Sequence, residues 1–138
     1  MGTCGRGSPS PRDSGILSSG ARILASILIV DDDQDVREIL AQLLEDEGYS
    51  VASASNGREA LEKLEALPRP VLVILDLMMP VMSGWEVMDV LRRDSKREGV
   101  RVAIASAVPN PEVPDADAVL RKPIDLDNLL DTVARLAK

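Results

Sequence analysis

Residues 26–47 read SILIVDDDQDVREILAQLLEDE, and this stretch decides the fold. Residues 26–30 (SILIV) form a short apolar run with no polar alternation, which predicts a strand buried on both faces, as in a parallel sheet. Three acids follow at once: Asp31, Asp32 and Asp33. Val36, Ile39, Leu40, Leu43 and Leu44 then recur at helical spacing, which predicts a helix over 34–47 with those side chains inward. Asp33 is suited to cap that helix, whose dipole favours a carboxylate there. Gly48 is placed to end it.

The same alternation of strand and helix runs outward from this unit. Residues 50–54 read as a second strand. Asn56 can cap a helix whose inward face is Ala60, Leu61, Leu64 and Leu67, and Pro68 and Pro70 stop it. Residues 71–75 (VLVIL) are the most hydrophobic run and belong at the centre of the sheet. A third helix is expected over 85–94 with Val87, Met88 and Leu91 inward, then strands over 100–105 and 118–120. Asp125 caps a last helix that buries Leu126, Leu129, Leu130, Val133 and Leu136. Between the last two strands stand Pro109, Pro111 and Pro114. Proline removes backbone donors and breaks helices, so the fourth helix of the alternation is expected to be short or missing. The pattern predicts an α/β fold: a flavodoxin-like, doubly wound, five-stranded parallel sheet in the order 2-1-3-4-5, with helices on both faces.

The bulk composition narrows the class of function. At 138 residues the chain fits one domain. With no Phe, one Trp and one Tyr, its core must be built from Leu, Ile, Val, Ala and Met. A net charge of −7 offers neither nucleic acid nor an anionic membrane any electrostatic attraction. The one cysteine, Cys4, permits no intrachain disulfide, which suits the cytoplasm. No apolar run is long enough to span a bilayer. Residues 1–25 are rich in Gly, Ser, Pro and Arg, and no unbroken apolar segment follows Arg6 and Arg12 as an export signal requires. They are expected to form a disordered extension ahead of one domain over 26–138.

In a doubly wound sheet, ligands sit beyond the carboxyl ends of the strands, where the strand order reverses. The first strand runs into Asp31 and Asp32, and the third into Asp76. If those strands are neighbours, three carboxylates converge. Like charges about 4 Å apart repel by about 4 kcal/mol at an effective dielectric of about 20. A hard divalent cation relieves that conflict, and magnesium favours oxygen ligands beside phosphate. The fourth strand ends at Ser106 and the fifth at Lys122, which places a hydroxyl and an ammonium at the same rim. An in-line nucleophile, Asp76, with cations around the equatorial oxygens is what phosphoryl transfer needs.

The blocks ILIVDDDQDVREIL, LVILDLMMPVMSGWEV, AIASA and LRKP are similar, in order, to the receiver domains of bacterial response regulators. The resemblance covers about residues 26–138. It implies that Asp76 is the phosphoacceptor, that Asp32 binds Mg2+ directly and Asp31 mostly through water, and that the backbone carbonyl of Met78 is a further ligand. Ser106 would be the switch hydroxyl and Lys122 the phosphate-binding lysine, with Pro80 and Gly84 shaping the loop after the acceptor. The donor would be a phosphohistidine on a partner kinase or phosphotransfer protein; this chain has no His of its own. The implied role is a signalling switch that catalyses only its own phosphorylation and dephosphorylation. No output domain follows Lys138, so a stand-alone receiver is expected, acting on a protein target.

Three departures stand out. Val119 and Ile124 occupy positions where the family usually carries aromatic residues, and the stretch between Ser106 and Lys122 is short and rich in proline. Three other readings compete. A receiver-like module that no longer takes phosphate is opposed by the intact Asp31, Asp32, Asp76, Ser106 and Lys122. A flavin-binding protein would want phosphate-binding Ser/Thr loops and stacking aromatics where this chain has acids. A phosphoaspartate hydrolase would want a second acid by the nucleophile and a cap region.

Overall fold

The structure, a computed structural model, describes residues 26–93, 98–108 and 111–137. The extension expected at 1–25 lies outside the described residues, as do Asp94 and Pro109. The chain runs β1 (Ser26–Val30), α1 (Gln34–Asp46), β2 (Ser50–Ala54), α2 (Gly57–Ala66), β3 (Val71–Asp76), α3 (Gly84–Arg93), β4 (Val100–Ser106), β5 (Ala118–Arg121) and α4 (Leu126–Leu136). The strands form one sheet in the order β2-β1-β3-β4-β5, and every pairing is parallel. This is the order expected. Among the described residues no helix lies between β4 and β5, where the prolines stand.

Successive strand residues point to opposite faces, and both faces are covered. Ile27, Ile29, Leu72, Ile74, Ala103, Ala105 and Leu120 pack with Leu40 and Leu44 of α1 and Leu129 and Val133 of α4. Leu28, Val30, Val73, Leu75, Val102 and Ile104 pack with Ala60 and Leu64 of α2 and Val87, Met88 and Leu91 of α3. All six residues of β3 are buried, as its run of apolar residues at the sheet centre requires.

The helix ends follow from local chemistry. The Asp33 side chain accepts from the amides of Asp35 and Val36. At the other end of α1, Gly48 has φ +97°, its amide donates to Glu45 O at 2.9 Å, and that of Tyr49 to Leu44 O at 3.2 Å. These two bonds close the helix in a turn that a left-handed glycine permits. Asn56 caps α2 and Asp125 caps α4 in the same way as Asp33.

Two residues expected inward are exposed, and Val36, Leu43, Leu61, Leu67, Leu130 and Leu136 are half-buried. Ile39 is 60% exposed and Leu126 45% exposed. The sheet takes Leu40 and Leu44 from α1, and the apolar stripe is wider than the contact. Leu126 is the first residue of α4 and stands at the rim of the sheet. Both instead line an open cleft of about 220 Å³ with Val36, Leu40, Pro123 and Ile124. No helix among the described residues is long and apolar enough to cross a membrane.

Candidate functional site

Strand register brings the sequence-predicted residues to one rim. Val30 pairs with Leu75, so Asp31 and Asp76 leave neighbouring strands side by side. Asp76 pairs with Ala105, which precedes Ser106, and Ser106 pairs with Arg121, which precedes Lys122. Carboxylate oxygens of Asp31, Asp32 and Asp76 all lie within 4.8 Å of one another. Asp31 is 3% exposed and Asp76 6%, while Asp32 is open to solvent.

Lys122 enters this cluster. Its Nζ donates to Asp31 Oδ2 at 2.8 Å and lies 3.3 Å from Asp76 Oδ2. Burial pushes the Asp76 carboxyl above the usual carboxylate range; the Lys122 charge pulls it down, the Asp31 charge adds to the rise, and the Met78 amide opposes it. For Lys122, burial disfavours the ammonium, but the hydrogen bond to Asp31 and the charges of Asp76 and Asp31 outweigh it, and the net shift is upward. The acid cluster therefore carries a positive charge of its own, which offsets part of the repulsion between its carboxylates.

The remaining residues fall close by. Ser106 is buried and its Oγ accepts from the amide of Val108 at 2.9 Å. The Met78 amide donates to Asp76 Oδ1 at 3.3 Å while its side chain is exposed, so what Met78 brings to Asp76 is main chain. A Cβ on Gly84 would come within 2.5 Å of the Asp76 carbonyl oxygen and 2.9 Å of Leu77 Cα, which explains a glycine there. Pro80 opens a tight turn in which the Met82 amide donates to Pro80 O at 2.7 Å and Val81 takes φ +69°.

Sequence reasoning missed Arg37, whose Nη1 donates to the main-chain oxygen of Asp31 at 2.6 Å. An arginine on an amphipathic helix ordinarily reads as part of the solvated face, and its only clue was its place on the first turn of α1.

The donor set suits a hard cation. It consists of oxygens, two acids are buried, and the exposed Asp32 leaves a way in from solvent.

Residues 27–134 match the response regulator receiver domain. The chain belongs to this family. It is 41% identical over 116 residues to the response regulator MprA of Mycolicibacterium vanbaalenii, covering 81% of this chain and 50% of MprA. It is 44% identical over 81 residues to the DNA-binding response regulator MtrA of Mycobacterium leprae, covering 59% of this chain and 34% of MtrA. The chain thus spans half or less of the length of these relatives. Among solved structures it is similar to the response regulator TrrA of Thermotoga maritima in complex with Mg2+ and BeF, at TM-score 0.72 and 34% identity over 82% of this chain and 99% of that one. It is equally similar to the chemotaxis response regulator CheY4 of Vibrio cholerae, at TM-score 0.74 and 32% identity over 83% and 99% of the two chains. As a receiver domain, the chain is part of a two-component system, in which phosphorylation carries the signal.

Proposed function

We propose that this receiver takes a phosphoryl group onto Asp76 from a phosphohistidine of a partner kinase or phosphotransfer protein, with Mg2+ bound beside it, and signals in the cytoplasm by a change in its protein-binding surface. One observation carries the reading: three carboxylates from two strand ends share a small volume with the Lys122 ammonium.

Asp32, Asp76 and the Met78 carbonyl would hold the ion directly, and Asp31 mostly through water. Asp31 is engaged by Lys122 on one oxygen and by the Asp33 amide on the other at 2.9 Å, which fits the indirect role. When bound, the ion supplies positive charge to an oxygen of the transferring phosphoryl group. A carboxylate oxygen of Asp76 forms the new bond to phosphorus. The bond from phosphorus to the donor imidazole breaks, and its electron pair stays with the ring nitrogen. Lys122 already lies against Asp76 and pairs with a second phosphoryl oxygen as negative charge gathers there. The Ser106 oxygen accepts from Val108, which leaves its own proton for the third oxygen.

That donation would pull on the residues after β4. The segment 107–116 holds no helix among its described residues, so it can repack at little cost in regular structure. We place the readout there, in contact with a protein partner, and not through direct contact with nucleic acid, which the net charge of −7 disfavours. Incubation with acetyl phosphate and Mg2+ tests the reading. One phosphoryl mass increment is expected, absent in Asp76→Ala and absent without the ion; no increment in the wild-type protein would leave an interaction module that has lost its chemistry.

A further inference from the structure

We propose that Arg37 is a positioning residue of the acidic site, holding the peptide between Asp31 and Asp32 so that the Asp32 carboxylate is presented to a divalent cation. The inference rests on the reading of Asp31, Asp32 and Asp76 as a cation site.

Arg37 lies on the first turn of α1, and its Nη1 donates to the Asp31 main-chain oxygen at 2.6 Å. A bond of that length to a charged donor belongs to the strong class. The partner is a neutral carbonyl, although three carboxylates stand on the same loop. The other atoms of Asp31 are also fixed. Its amide donates to Ala54 O at 3.2 Å, its Oδ1 accepts from the Asp33 amide at 2.9 Å, and its Oδ2 accepts from Lys122 at 2.8 Å. Asp32 is the contrast. It is exposed, and among the described residues its carboxylate has no hydrogen-bond partner. With no side-chain partner, the Asp32 carboxylate relies on its backbone for where the Cα–Cβ bond points. A peptide is planar and trans, so pinning the Asp31 oxygen fixes the plane and the bond that leads into the Asp32 Cα. Partners that orient a ligand without touching the ion commonly tune its affinity.

The sign of the effect separates this role from a plain electrostatic one. If Arg37 acted only as a nearby positive charge, removing it would lift a repulsion and tighten cation binding. Positioning predicts the reverse. The experiment is a Mn2+ titration of the full chain, followed by the electron paramagnetic resonance of free Mn2+, alongside a melt by circular dichroism. Arg37→Ala is expected to weaken binding by about tenfold, and Arg37→Lys, which keeps a charged donor, to recover most of it. Equal or tighter binding in Arg37→Ala, or no recovery in Arg37→Lys, would overturn the proposal. If Arg37→Ala does not fold, Arg37→Gln carries the test: it removes the charge and keeps a donor. Weaker binding than wild type would then support the proposal, and equal or tighter binding would overturn it. A wild-type protein that takes up no Mn2+ would instead remove the cation site itself.

Discussion

The Lys122 ammonium lies 2.8 Å from a carboxylate oxygen of Asp31, a residue 91 positions earlier in the chain. The same nitrogen is 3.3 Å from Asp76. Two buried acids thus share one cation that the chain supplies, and this sets what happens when the lysine is removed. Lys122→Met leaves both carboxylates without it. Losing one partner of a buried pair costs about 3–5 kcal/mol, and the partial exposure of Lys122 reduces that to roughly 2–3 kcal/mol. If Mg2+ occupies the acid cluster as proposed, it supplies the missing charge, and the variant should gain more stability from Mg2+ than wild type does. Urea denaturation with EDTA and with Mg2+ measures both; equal gains in the two proteins would count against the counter-ion role.

Asp76 gives a pH dependence with a definite sign. Its carboxyl is held above the ordinary value, first by burial. Below about pH 3.9 both folded and unfolded chains carry it protonated, and its contribution to stability is full. As pH rises through the raised folded value that contribution is lost, because the unfolded chain releases the proton first. In metal-free buffer at neutral pH, Asp76→Asn should therefore be more stable than wild type, with the gap closing toward acid pH. Lys122, whose shift is also upward, adds stability across neutral pH that disappears at alkaline pH, above the ordinary lysine range. Denaturant midpoints between acid and neutral pH check the first statement, and those in alkali the second.

Ser106 should separate phosphorylation from response. Its Oγ already accepts from the Val108 amide, so Ser106→Ala removes the proposed donor to the phosphoryl group without touching Asp76. Mass gain from acetyl phosphate should persist in the variant. The amide shifts that beryllofluoride induces over residues 107–116 should shrink. Full-sized shifts in Ser106→Ala would move the switch elsewhere.

The phosphorylated state should be long-lived. Met78 and Val108 flank Asp76 and Ser106, and neither side chain can orient an attacking water. Met78→Asn introduces an amide that can, and should shorten the lifetime of the modified protein several-fold by time-resolved intact mass. A rapid loss of phosphate from wild type would contradict this.

Gly84 is required by its neighbours. An alanine there meets the Asp76 carbonyl oxygen at 2.5 Å and Leu77 Cα at 2.9 Å, and neither is a side chain that can rotate aside. Gly84→Ala should destabilise the protein by about 1–3 kcal/mol and, by shifting the Asp76 backbone, slow phosphorylation as well. A denaturation curve and a rate with acetyl phosphate measure the two effects.

What could be read from residue order alone follows its physics. Strand order and the capping roles of Asp33, Asn56 and Asp125 were legible, because hydrophobic period and caps are local signals. So was the convergence of Asp31, Asp32 and Asp76, given parallel neighbours. The exposure of Ile39 and Leu126 was not, since it depends on how much of the sheet α1 and α4 cover. Nor was the part of Asp117, which donates from its amide to Val102 O and accepts from Val102 N through its side chain, both at 2.8 Å. That contact extends the pairing of β4 ahead of β5 and needs the register to be known. The bonds from Lys122 and Arg37 to Asp31 are of the same kind: each joins residues whose meeting depends on where whole elements come to rest.

On the proposed reading, an ion held by the acid cluster makes Asp76 a phosphoryl acceptor. Fluorine NMR of the protein with beryllofluoride tests it most directly. Bound fluorine resonances should appear in wild type only when Mg2+ is present, and should be missing from Asp32→Asn and Asp76→Asn under the same conditions. Bound resonances without Mg2+, or their survival in either variant, would contradict the account.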